Sequence, residues 1–226
     1  MTRDSDDLAI TTTPSRRLLL KWSGAGAVVL FGNALPNFGI SSALAADLGR
    51  GDVGVLNYAY ALEQLEAAFY TQVVASPYKG MSLRERSILT DIRNHEIAHR
   101  QFLKKALGSK AIPGLSVDFS KVNFASRASV LNTAKTFEDL GVSAYNGAGR
   151  LLQNGDYLLA AGKIVSVEAR HAATIRDMLH PNSTAFSGPD VVNKNGLDVA
   201  RPPSAVLKAA GPFIKTPVSA MHLGGA

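Results

Sequence analysis

The 226-residue chain contains no cysteine. Disulfides, thiolate metal sites and thiol catalysis are therefore excluded, and the composition suits an oxidising compartment. Tryptophan occurs once, aromatic residues make up only 7%, and the formal charge is a mild +6. Outside the N-terminal region no Lys/Arg run exceeds a pair. Neither the basic stripe nor the interleaved aromatics of a nucleic-acid binder is present, so no nucleic-acid partner is expected. No long apolar run is present either. The stretch from Trp22 to Ile40 is interrupted by Gly24, Gly26, Gly32, Asn33, Pro36 and Asn37, which make a poor spanning helix. No stable membrane anchor is expected. With 46% hydrophobic and 19% charged residues the chain reads as globular, and its Ala and Leu lean towards helix.

The N-terminus reads as an address rather than as part of the fold. "SRRLLLK" (residues 15–21) precedes the weakly apolar stretch, and "SSALAA" follows it. A basic segment, an apolar segment and an A-x-A site through Ala43 and Ala45 compose an export signal. The adjacent Arg16 and Arg17 resemble the twin-arginine type. Residues 1–45 are expected to be cleaved, with the product periplasmic or extracellular. Cleavage removes four basic and three acidic residues and leaves a charge of +5. The twin-arginine route carries folded proteins, so a metal acquired before export could travel inside the fold.

Four helical segments follow. The first spans about 52–76, with Leu56, Tyr60, Ala67 and Tyr70 on one stripe and Leu62, Leu65 and Phe69 on its neighbour. Pro77 and Gly80 end it. The second starts at Ser82, where "SLRE" is a capping box, and stops at Gly108. The third covers about 126–153. The fourth starts with Asp156 as N-cap and ends before Pro181. Helices one and two, and three and four, have short joins, whereas about 18 residues link two to three. Two antiparallel hairpins joined by a long crossover make an all-α, ferritin-like four-helix bundle, expected over 46–180. The Pro/Gly-rich extension, 181–226, is expected to dock a short helix with Phe213 and Ile214 on the bundle.

The chemistry lies in a repeat. "HEIAH" puts Glu96 and His99 at i, i+3, and "EARH" puts Glu168 and His171 at the same spacing. Three residues turn a helix by ~300°, so each pair shares a face. Helices one and three supply Glu63 and Glu138, each followed seven residues later by a tyrosine, Tyr70 and Tyr145. One Glu from each of two helices plus Glu-x-x-His from each of the others is the ligand set of carboxylate-bridged two-metal bundles. Height agrees: counted from the hairpin turns, all four glutamates lie ~18–22 Å along their helices. The set is oxygen-rich and favours iron, then manganese, over zinc, as two divalent ions. Glu66 is the alternative to Glu63, but the residue seven after it is Val73, not tyrosine. Tyr70 and Tyr145 read either as plain core or as hydrogen-bond donors to the metal carboxylates. A zinc-protease reading of "HEIAH" lacks its third ligand, because Phe102 and Lys105 stand where a glycine and a histidine are needed. His95 then reads as a partner for a neighbouring side chain.

The segments "LNYAYALEQLEAAFY", "NHEIAHRQFLKKALG", "TFEDLGVSAY" and "VEARHAA" resemble a bacterial ferritin-like domain family that includes proteins similar to desiccation-related proteins. The resemblance spans Asp52 to Leu179 and implies Glu63, Glu96, His99, Glu138, Glu168 and His171 as metal ligands. It implies a fold similar to ferritins and rubrerythrins, and a di-metal site more firmly than any reaction. Three functions stay open. One is an oxidoreductase acting on dioxygen or peroxide under stress. The second is iron handling without catalysis. The third is a structural or desiccation-protective bundle with a structural or lost metal site. A homodimer is an open option.

Overall fold

The computed structural model describes residues 45–224. The export signal read at 1–45 lies outside the described residues except for Ala45. Strand β1 (Ala46–Asp47) is followed by four long helices: α1 (Gly51–Ala75), α2 (Leu83–Leu107), α3 (Arg127–Ala148) and α4 (Gly155–Leu179). A short helix α5 (Pro203–Ala210) and strand β2 (Val218–Ser219) complete the order. α1 packs on α2, and α3 on α4, as two hairpins, and the hairpins meet where α1 faces α3. Among the described residues the fold is all-α apart from one two-stranded parallel pair, in which Ala46 stands opposite Val218, and two isolated bridges. None of the described helices is long and apolar enough to cross a membrane.

Local chemistry sets the helix ends. Ser82 Oγ accepts from the Glu85 amide at 3.1 Å, and the Ser82 amide donates to Glu85 Oε2 at 2.9 Å, completing the capping box. α2 ends at Gly108, whose φ of +56° favours glycine. α4 corrects one expectation: its N-cap is Asn154, whose Oδ1 accepts from the Asp156 amide at 2.8 Å. Both residue types cap well, and the helix starts at the earlier one. The third segment ends sooner than its periodicity suggests, closing in a 3-10 turn over Gly149–Leu151.

α1 is the central element. Its buried face covers most of its circumference, because α2, α3 and the crossover surround it. Two buried amides on α1 hold the crossover. Asn57 donates to Leu48 O at 3.0 Å and Lys110 O at 2.9 Å, and accepts from the Ile112 amide at 2.9 Å. Gln64 accepts from the Leu115 amide at 2.8 Å. Phe69 then packs on Tyr70, Phe119, Phe124 and Phe137, with ring centroids 5.1–5.9 Å apart.

Residues of the segment after 181 contact the bundle at several points. Phe213 meets Phe137 edge-on at 4.8 Å. The Arg201 amide donates to Ser143 O at 3.0 Å, and a Cβ on Gly147 would sit 1.8 Å from Arg201 O, so only glycine allows this approach. Arg176, 3% exposed, is forked between two carboxylates. It donates to Asp139 at 2.8 and 2.7 Å, to Asp190 at 3.1 and 2.8 Å, and to Ala185 O at 3.1 Å. This clamp joins α3, α4 and the extension.

Candidate metal centre

Helical spacing delivers six side chains to one point in the bundle core. Glu63 comes from α1, Glu96 and His99 from α2, Glu138 from α3, and Glu168 and His171 from α4. The four carboxyls are fully buried and His171 is 4% exposed. Their donor atoms form two overlapping groups, each within 4.8 Å. Glu63, Glu96, His99 and Glu168 form one, and Glu96, Glu138, Glu168 and His171 form the other. Glu96 and Glu168 belong to both. Glu63, and not Glu66, is the α1 member.

The hydrogen bonds sort the carboxylates. Tyr145 donates to Glu63 Oε1 at 2.5 Å, and Tyr70 donates to Glu138 Oε1. Each tyrosine thus reaches across to the glutamate of the opposite hairpin rather than the one on its own helix. The second oxygens of Glu63 and Glu138, both oxygens of Glu96 and of Glu168, and Nδ1 of both histidines are buried without a hydrogen bond. Buried polar groups are rarely left so. Among the described residues, only the hydroxyls of Tyr58 and Tyr78 share that state. With one free oxygen on each outer carboxylate and two on each shared one, Glu63 and Glu138 would each serve one donor group and Glu96 and Glu168 would serve both. The histidine nitrogens point into the same space. His99 Nδ1 lies 2.8 Å from Glu168, and His171 Nδ1 lies 2.9 Å from Glu96. Neither approach is a hydrogen bond, and both nitrogens belong to residues of the donor groups. Donors bound ~2.1 Å from one ion lie at most ~4.2 Å apart, so each group needs only a small contraction to close on a cation. The residues fit metal ions.

Burial lowers His99, but contacts with Glu168, Glu63 and Glu96 outweigh it and push it up to about 12. His171 is raised likewise, against its burial, by Glu138, Glu168 and Glu96. Both shifts arise because the neighbouring carboxylates favour the charged form of each ring. The shared carboxyls split, as a like-charged pair must. Burial and then repulsion from Glu168 hold Glu96 well above the ordinary range. Glu168 wins both histidines and is held down to about 2 despite its burial. Glu138 is pushed up to about 7 by burial, partly offset by His171.

His95 is a residue whose place sequence reasoning gave only loosely. Its Nδ1 lies 2.9 Å from His171 Nε2, with the rings stacked 5.2 Å apart. It fixes the ring whose other nitrogen faces the cluster, and its own Nε2 points to Asp91 at 4.0 Å. Val167 occupies the corresponding position on α4 and cannot hydrogen-bond a ring as His95 does. Beside the cluster lies an apolar pocket between α1, α2, α3 and α4, lined by Val55, Leu56, Leu62, Phe102, Tyr145 and Ile164.

The Tyr–Glu bonds yield a test. Tyr145→Phe frees Glu63 Oε1 and is expected to weaken binding in the Glu63–His99 group by ~10–100-fold. Tyr70→Phe should do the same to the Glu138–His171 group. Stepwise metal titration of both variants checks which step each one weakens.

Fold and cluster together define a class: a four-helix bundle whose core holds a carboxylate–histidine cluster compatible with metal. The chain belongs to the ferritin-like domain family, which matches it over residues 51–181. A search of curated proteins returns no match.

Proposed function

We propose that the chain is an exported di-metal carboxylate protein that handles iron or reduces dioxygen or peroxide under stress. The observation that carries this is the pattern of free oxygens: one each on Glu63 and Glu138, two each on Glu96 and Glu168. Four carboxylates balance two divalent cations, and this hard oxygen-rich set favours iron, then manganese. When bound, two such ions supply the pair of electrons by which an oxidant is reduced.

The chain's own residues do the rest. Glu96 and Glu168, members of both donor groups, would hold both cations. Tyr145 and Tyr70 fix one oxygen of each outer carboxylate and leave the other free. His95 sets the orientation of His171. Phe69, Phe137 and Leu65 wall the α1–α3 side against water. Tyr145, which holds Glu63, also lines the apolar pocket. Export rests on the Arg16-Arg17 signal and suits the absence of cysteine.

The test is single-turnover oxidation. Protein loaded with Fe(II) should oxidise it with dioxygen or peroxide, and Glu96→Ala should abolish that rate. Metal-loaded protein inert to both oxidants would sink the redox reading. Burial of four carboxylates favours a second reading in that case: the cations serve as a structural staple, and their removal lowers the melting temperature.

A further inference from the structure

The geometry points to the apolar pocket beside the cluster as a binding site for a long unbranched carboxylate, its chain inside the bundle and its head at a basic rim. The inference goes beyond the metal reading and does not rest on it. The pocket wall runs from Val55 to Leu62 on α1 and from Tyr157 to Ile164 on α4. Seven residues rise ~10 Å along a helix, and that is the length of the slot. Its lining side chains are aliphatic or aromatic, and the four helices leave it slender. Such a slot suits one alkyl chain and not a ring system.

Burial gives the slot a direction. Leu62, Tyr145 and Ile164 are buried. Leu62 adjoins Glu63, Ile164 stands one helical turn before Glu168, and Tyr145 donates to Glu63, so this is the end nearest the cluster. Phe102, Leu152, Tyr157 and Ala160 are half-buried, and Ala160 and Tyr157 lie about two and three turns before Glu168. The opening is therefore between α2 and α4, towards the α3–α4 turn.

The rim is apolar and cationic. Leu158 and Leu159 are 48% and 58% exposed. Leu158 Cδ1 lies 3.7 Å from a Cβ placed on Gly149, a lining residue. Lys104 follows Leu103, Arg150 follows Gly149 and Lys163 precedes Ile164, so each adjoins a lining residue in the chain. All three are exposed, and none has an ion pair with a described residue. Of the acids that flank the α3–α4 turn, Asp52 is taken up by the amides of Gln153 and Asn154 at 2.7 and 3.0 Å, which leaves Asp156. Three cations against one acid favour an anionic head. The exposed leucines beside them cover the first carbons of a chain whose remainder is buried.

The experiment is calorimetric titration of the full chain with hexanoate, octanoate, decanoate and dodecanoate below their micellar concentrations. One equivalent is expected to bind, with affinity rising ~4-fold per methylene as far as decanoate. Beyond decanoate it should flatten, because a carbon chain advances ~1.3 Å per bond and the slot is then full. Ala160→Trp blocks the opening and should cut decanoate affinity at least ~10-fold. Arg150→Glu with Lys163→Glu, both at exposed positions, should weaken decanoate ~5–10-fold and leave 1-decanol unchanged. Decyltrimethylammonium, the same chain with the opposite charge, should bind more weakly than decanoate. Affinity that climbs evenly past decanoate, indifference to Ala160→Trp, or equal binding of the ammonium would overturn the proposal. Binding to phosphatidylglycerol vesicles without uptake of any monomeric carboxylate would also overturn it, and would assign the leucines and cations to a membrane surface. None of these readouts involves a metal, so their failure leaves the metal reading standing, and its failure leaves them intact.

Discussion

Glu96→Leu should lose metal at both positions at once, and the resulting apoprotein should be more stable than the unaltered apoprotein. Glu96 is shared by the two donor groups, so neither survives its removal. Both of its oxygens are buried without hydrogen bonds, and its carboxyl is held well above the ordinary range by burial and by Glu168. A carboxyl raised on folding destabilises the fold above its unfolded value near 4.3 and stops doing so as pH falls below that value. Removing an unsatisfied buried group of this kind should return about 1–3 kcal/mol at neutral pH. For a domain of this size that raises the melting temperature by roughly 2–12 °C. Below pH ~4 the advantage should vanish. Elemental analysis and thermal scans at pH 7 and pH 4 are the measurements. A variant that retains two ions, or whose apo form melts lower, would show that the cluster is held by its own hydrogen bonds and not built for cations.

Arg176→Ala should be the most damaging single change outside the centre. The guanidinium is 3% exposed and binds Asp139, Asp190 and the Ala185 carbonyl. Removing one partner of a buried ion pair costs about 3–5 kcal/mol, because the charge left behind stays desolvated. Asp139 bears most of that burden, since its side chain is 16% exposed whereas Asp190 is 57% exposed and can turn to water. Urea unfolding should show the loss as a lower midpoint. Proteolysis should also reach the segment after residue 181 first, because the clamp joins that segment to α3 and α4. Arg176→Lys should recover only part of the loss, since an ammonium cannot fork onto two carboxylates.

The two hairpins and the meeting of six side chains were legible because both follow from helical spacing. Glu-x-x-His fixes a face within one helix, and the distance from each turn fixes a height. Side-chain reach between helices was not legible. Seven-residue spacing puts Tyr70 on the face of Glu63, yet its hydroxyl goes to Glu138, a choice made by α1 facing α3. His95 and His171 are 76 residues apart and nothing local joins them. Arg176 in the last turn of α4 reads as a favourable charge at a helix end, and only the fold reveals its two carboxylates. Glu66 looked like a rival to Glu63; it faces the same cluster without belonging to either donor group.

The two donor groups do not respect the boundary between the hairpins. The α1–α2 hairpin provides three members of one group, and Glu168 from α4 provides the fourth. The other group takes three from α3–α4 and borrows Glu96. Neither half of the chain can finish a coordination sphere alone. A cation bound in either group would therefore tie the two hairpins together rather than stabilise any single helix.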